Sequence, residues 1–250
     1  MATEFSGSGN LQRSLELIWG TRPRPARGPR PGLNLHQIVT AAITVADNEG
    51  LAALSMRRVA AELGVGTMSL YRHVPGKGEL LDLMLEAVSQ PLADCAQATG
   101  WREVLEATAR ASWRLYLSHP WLLQVNWARP LLGPNALAGL NQVVSGLRGI
   151  PLTDQEKMIV VSTVDGLVTG IARSHVNALT AAEASSITDE EFWAAQLPML
   201  ERAMASGNYP ALAELAEDSF SAGWAEILEF ALQRLLDGIE VLIQRRTPSG

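Results

Sequence analysis

Leu35, Ile38, Val39, Ala42, Ile43 and Ala46 recur at the three-and-four spacing of one helix face, which predicts a helix from about Leu35 to Asn48, capped by Asn34 and stopped by Gly50. Ser55 is a good N-cap for a second helix, in which Met56, Val59, Ala60 and Leu63 share a buried face and Arg57, Arg58 and Glu62 are left to solvent. Gly64 follows the last apolar residue, where a chain leaving a helix needs a residue that tolerates a left-handed backbone. A short helix from about Gly66 to His73 then turns Val65 and Leu70 inward and Thr67, Met68, Ser69, Tyr71, Arg72 and His73 outward. A fourth, from about Gly76 to Asp94, carries Leu80, Leu81, Met84, Leu85 and Val88. Beyond Trp101 the pattern predicts helical segments over roughly 101 to 118, 121 to 127, 134 to 147, 153 to 181, 189 to 206 and 219 to 246, with no strand-like alternation. Thr153-Asp-Gln-Glu156 and Thr188-Asp-Glu-Glu191 are capping boxes that mark two of these starts. The chain is therefore predicted to be all-α.

Residues 55 to 77 lay out two short helices around a Gly64-Val65 turn and close on an aromatic and basic cluster. That is the arrangement of a DNA-reading helix-turn-helix, in which small hydroxyl and apolar side chains near a helix N-terminus meet base edges and thymine methyls in the major groove. Tyr71, His73 and Lys77 suit phosphate oxygens, and Arg72 adds charge to the same outward face. The run Arg57-Arg-Val-Ala-Ala-Glu-Leu-Gly-Val65, followed by Leu70-Tyr-Arg-His-Val74 and Lys77, resembles the TetR family of bacterial transcriptional regulators over roughly residues 33 to 90. The resemblance implies a three-helix DNA-binding head, a fourth helix linking it to a larger helical body, dimerisation through that body, and release from DNA when a small molecule binds inside it. By matched position, Arg57, Thr67, Met68 and Ser69 resemble the base-reading residues, while Tyr71, His73 and Lys77 resemble those that contact phosphate. Gly66 departs from the serine the family often has there; glycine caps less well by a few tenths of a kcal/mol, so the helix is still expected to form.

Net charge is −6, which looks wrong for a DNA-binding chain until the charges are placed. Residues 1 to 77 carry +4 and residues 78 to 250 carry −10, so positive charge gathers at the DNA-reading end and the acidic remainder is repelled by phosphate. Residues 1–32 hold Arg13, Arg22, Arg24, Arg27 and Arg30 with prolines at 23, 25, 29 and 31. They are expected to form a flexible arm, either a solvated tail or an arm that tracks DNA, with one short amphipathic turn at Leu11, Leu15, Ile18 and Trp19. The expected domains are then this arm, a DNA-binding head over 33–90 and a ligand-binding and dimerisation body over 91–250. Cys95 is the single cysteine, no stretch approaches the roughly twenty apolar residues of a membrane span, and the N-terminus lacks a secretory pattern, all of which point to the cytoplasm.

In the body, tryptophans 101, 113, 121, 127, 193 and 224 and methionines 158, 199 and 204 suit either an ordinary core or an apolar pocket. The segment Trp127 to Gln142, with its Arg-Pro turn, is distantly similar to the tetracycline repressor's C-terminal class. That similarity implies pocket positions at Arg129, Pro130 and Asn141, and from the aromatic set Trp113 and Trp127 are the further ligand-binding candidates. Val125 lies where a chelated drug needs a histidine, so tetracycline itself is not expected. His119 and His175 are isolated from carboxylates at ligand spacing, and neither a metal nor a cofactor is expected. Segments 153–179 and 219–243 are the expected homodimer contacts: Ile159, Thr163, Gly166, Val168 and Gly170 in the first, and Phe220, Trp224, Ile227, Ala231, Leu235, Ile239 and Leu242 in the second.

These features make a ligand-responsive repressor, released from a palindromic operator by an apolar or aromatic inducer, the leading expectation. A DNA-bound activator or architectural dimer without a ligand is the alternative. A helical enzyme is disfavoured because the chain has no phosphate loop, no Gly-x-Ser-x-Gly elbow, no His-Glu-x-x-His and no paired carboxylates in an apolar segment.

Overall fold

A computed structural model describes residues 4, 6–21, 33–91, 98–127, 129–185, 187–216 and 218–247, and the regular elements among them are helices. The head comprises α1 (Leu11–Ile18), α2 (Leu35–Glu49), α3 (Met56–Glu62), α4 (Thr67–Tyr71) and α5 (Lys77–Val88). The body follows with α6 (Trp101–Ser118), a short 3-10 segment (Pro120–Gln124), α7 (Pro134–Gly146), α8 (Asp154–Ser185), α9 (Asp189–Ala205), α10 (Pro210–Ala213) and α11 (Trp224–Arg246).

Local chemistry sets most of these bounds. Asn34 caps α2 in a reciprocal capping box with Gln37, and Gly50 leaves the helix at φ 80°. The expected boxes at Thr153 and Thr188 both form, with the Glu156 and Glu191 amides donating to the threonine hydroxyls. Helix α3 starts on Ser55 as expected, its hydroxyl accepting from the Arg58 amide at 3.1 Å. Helix α5 stops at Val88, short of Asp94, because Pro91 disfavours helix in its predecessor and the Ser89 hydroxyl folds back on the Leu85 carbonyl at 2.7 Å. The last helix begins at Trp224 rather than 219, with Gly223 in extended backbone as its cap.

Two apolar cores result. One gathers Leu17, Ile38, Leu70, Leu80, Met84, Trp121, Leu122 and Val125, and the other holds Leu105 and Leu147 together with Val164 and Val168 of α8 and Leu232 and Leu236 of α11. Tyr116 packs against both. Residues 121 to 127 were expected in the body, yet Trp121, Leu122 and Val125 plug into the head's core. Burying an indole there satisfies its N–H as well, since Trp121 Nε1 donates to Asp47 of α2 at 2.7 Å. His119 Nδ1 meets the same carboxylate oxygen at 2.8 Å.

The N-terminal segment requires a correction. Residues 6–21 are not a free arm: α1 lies on α5 and buries Ser14 and Leu17. Asp82, buried in α5, accepts from the Ser14 hydroxyl at 2.6 Å, the Gly7 amide at 2.8 Å and the Ser6 hydroxyl at 3.4 Å. The Asn10 amide donates to Glu79 at 2.7 Å. The segment's backbone comes close to that of α5 at Gly78, where a Cβ would lie 2.6 Å from the Gly9 nitrogen. The Pro-rich part from 21 to 32 was expected to be extended and mobile, and its residues 22–32 lie outside the described residues.

Candidate DNA-reading face and ligand cavity

The head presents a compact outward face. Val59 and Ala60 of α3 and Leu70 and Val74 around α4 are buried, so the two helices are fixed to each other through their inner sides. Gly64 takes φ 65° in the turn between them, and Gly66 supplies no side-chain cap. The reading helix is accordingly shorter than the expected 66 to 73. It ends at Tyr71, after which the amides of His73 and Val74 both donate to the Leu70 carbonyl. Met68 is 75% exposed and Tyr71 44% exposed, with Arg72 and Arg57 also exposed and Thr67, Ser69 and His73 half-buried between them. Arg72 donates to the Ser69 hydroxyl at 3.3 Å, leaving most of its guanidinium donors to solvent.

Two cations behave differently from the rest. Arg58 reaches Glu49 at 2.6 Å and Glu62 at 2.8 Å; this pairing raises its pKa, lowers that of Glu49, and joins α2 to α3. Lys77, expected on phosphate, pairs at 2.8 Å with Glu4 of the N-terminal segment. Sequence reasoning missed that partner and the whole docking of residues 6–21. The available signal was Asp82, a lone carboxylate inside the run Leu80-Leu-Asp-Leu-Met-Leu85, where a buried charge demands donors from elsewhere.

The body encloses a cavity of about 860 Å³ between the end of α5, α6, the 120–130 segment and α8. Trp127 and Pro130 line it, as the sequence suggested. The other three expected residues do not. Arg129 and Asn141 are exposed away from the lining, and Trp113 stacks on His175 at 5.4 Å, which in turn stacks on Trp224 at 6.0 Å, joining α6, α8 and α11. Val88, Leu115, Leu122 and Tyr116 supply much of the remaining wall, and Asp165 and Arg173 of α8 supply its charges. Burial raises the Tyr116 pKa, and the nearby Asp165 carboxylate raises it further. A second cavity of about 610 Å³ adjoins the first, sharing Val88, Ser89 and Leu115 and opening toward α7.

A helix-turn-helix head whose core is shared with the wall of a ligand-sized cavity defines a one-component regulator that binds DNA through one end and senses small molecules with the other. Residues 38–84 match the family model for bacterial regulatory proteins of the tetR family, and residues 95–243 match the tetracyclin repressor-like C-terminal domain. The chain belongs to the TetR family of bacterial transcriptional regulators. The HTH-type transcriptional repressor DrrR1 of Streptomyces coeruleorubidus is 53% identical over 247 residues, spanning 98% of this chain and 91% of that protein. ActR of Streptomyces coelicolor in complex with actinorhodin superposes with a TM-score of 0.71 at 29% identity, covering 86% of this chain and 98% of that one. Apo ActR gives 0.65 at 30% identity over 85% and 96% of the two chains. Among the described residues no helix is long and apolar enough to cross a membrane.

Proposed function

We propose that this protein is a ligand-responsive repressor that holds a palindromic operator as a homodimer and lets go when an aromatic small molecule enters the cavity. Arg57, Thr67, Met68 and Ser69 read bases, and Tyr71, Arg72, His73 and Lys77 hold phosphate, which requires the Glu4 contact to Lys77 to yield on DNA. The observation that carries the proposal is the shared wall: Leu122 and Val125 line the cavity and sit in the head's core, one and four residues from the Trp121 anchor on Asp47. The docked N-terminal segment adds a second tie. Its Glu4 and Ser6 backbone groups bond Asn126 at the cavity's edge while its side chains bond α5. A ligand that repacks this wall therefore moves the head. The body is read as a binding module rather than a catalyst, and the complex of ActR with actinorhodin supports a small-molecule ligand here.

Dimerisation through 153–179 and 219–243 is supported by what each helix leaves uncovered. Val160, Val164, Val168, Leu228, Leu232 and Ile239 are buried within the chain, which leaves Val168 and Ile239, named from the sequence as contact residues, little surface to offer a partner. Ile159, Phe230, Val241 and Leu242 remain exposed on the same two helices. No described residue from 187 to 220 is buried, although Trp193, Met199, Tyr209 and Phe220 lie there, and apolar surface of that extent calls for a partner. Two-fold symmetry then sets operator half-sites about one turn, ~34 Å, apart.

Release is the test. Titrating actinorhodin into the protein–DNA complex is expected to weaken DNA affinity by roughly 5 to 150-fold, a coupling of ~1 to 3 kcal/mol. Tight binding of actinorhodin with unchanged DNA affinity would contradict ligand-controlled release.

A further inference from the structure

We propose that the cavity selects ligands carrying a positive charge, and that Asp165 is the residue that selects them. The inference rests on the reading of the cavity as the effector site. Asp165 is the only carboxylate among the described residues lining that cavity, and it is exposed rather than folded into the core. No ion pair engages it among the described residues. Arg173, the one cation among the described residues of the same wall, lies two turns along α8, about 12 Å by helical rise, and donates to the Leu123 carbonyl at 3.3 Å.

Asp165 is nevertheless held in place. Thr169 donates its hydroxyl to the Tyr116 oxygen at 3.1 Å, which leaves the Tyr116 proton free to point at the Asp165 carboxylate. Desolvation pushes the Asp165 pKa up, and the Tyr116 hydroxyl pulls it part of the way back. Asp165 thus presents a carboxylate to the cavity with a hydroxyl as its neighbour and no paired cation among the described residues. A cationic group on a bound molecule supplies the missing opposite charge, and the apolar wall beside it strengthens the attraction relative to open water. The Tyr116 and Trp127 rings and Leu115 and Leu122 offer the flat apolar surface for the rest of the molecule, so the ligand class is a planar aromatic compound bearing a protonated amine.

The probes are proflavine, a planar cation, and acridone, its uncharged three-ring counterpart, each followed by its own fluorescence anisotropy with the full-length protein and no DNA. The wild-type protein is expected to prefer proflavine. Asp165→Asn should weaken proflavine on the order of tenfold, the loss of one charged contact, while acridone changes by less than about twofold. Asp165→Glu keeps the charge and should retain the preference, which separates loss of charge from loss of packing. If Asp165→Asn alters both probes equally, or neither, charge selection by Asp165 is wrong and the cavity remains an effector site for other chemistry. If neither probe binds the wild type at all, charge selection and the aromatic-ligand reading fail together.

Discussion

Trp121→Ala is expected to lower the free energy of unfolding by roughly 3 to 5 kcal/mol, the range for emptying a fully packed aromatic site. Trp121 is 1% exposed and stands in the head's core beside Leu122 and Val125. The substitution also strips Asp47 of its indole donor at 2.7 Å. Trp121→Phe keeps most of the volume and loses only that donor. Its cost should fall to about 1 to 3 kcal/mol, since His119 still meets Asp47. Urea unfolding measures both, and the difference between them separates packing from the hydrogen bond. The same pair tests transmission: with Trp121→Phe the protein should still bind operator and ligand, yet show a smaller coupling between them. Equal coupling in wild type and Trp121→Phe would mean that this contact carries none of the signal.

Asp82→Ala should be nearly as damaging, at about 2 to 4 kcal/mol, because it leaves the buried Ser14 hydroxyl and the Gly7 amide without an acceptor. Burial outweighs these hydrogen bonds and raises the Asp82 pKa, with repulsion from Glu79 adding to the rise. The folded state therefore holds its proton to higher pH than the unfolded chain does. Between the ordinary carboxylate pKa and the raised one, the folded protein binds more protons, so this group's contribution to stability falls as pH rises through that window and is constant above it. Asp82→Asn keeps an acceptor oxygen and has no proton to release, so it should cost less than Asp82→Ala and remove that slope from the stability profile. Both variants should loosen residues 6–21, read as faster amide exchange at Gly7 and Ser14 than in the wild type.

The head was legible because its determinants are local. Ser55, Gly64 and Gly50 act on the few residues beside them, and the Met56, Val59 and Ala60 stripe sits on one helix. What escaped depends on residues far apart in the chain. Asp82 advertised a need for donors without saying that Ser6, Gly7 and Ser14, some seventy positions away, supply them. Trp121 reads as one more body tryptophan until Asp47 is seen beside it. Along the 127–130 segment the structure puts Trp127 and Pro130 on the cavity and Arg129 away from it; the resemblance that suggested Arg129 and Pro130 could not separate neighbours in a segment without regular secondary structure, which has no periodicity to assign facing. Asp165 carried a signal of the Asp82 kind, a single carboxylate in the apolar run from Ile159 to Ile171.

Sequence-selective DNA binding through α4 can be measured by fluorescence anisotropy of the full-length protein on DNA from just upstream of its own gene, at physiological salt, with scrambled DNA as competitor. Tyr71 is 44% exposed, so Tyr71→Ala should leave the fold intact while removing a phosphate contact and its packing on the backbone. Binding is expected to resist the competitor and to weaken at least tenfold in Tyr71→Ala, about 1.4 kcal/mol. Binding that the scrambled DNA displaces equally well, or that Tyr71→Ala leaves unchanged, would mean that α4 does not read the operator.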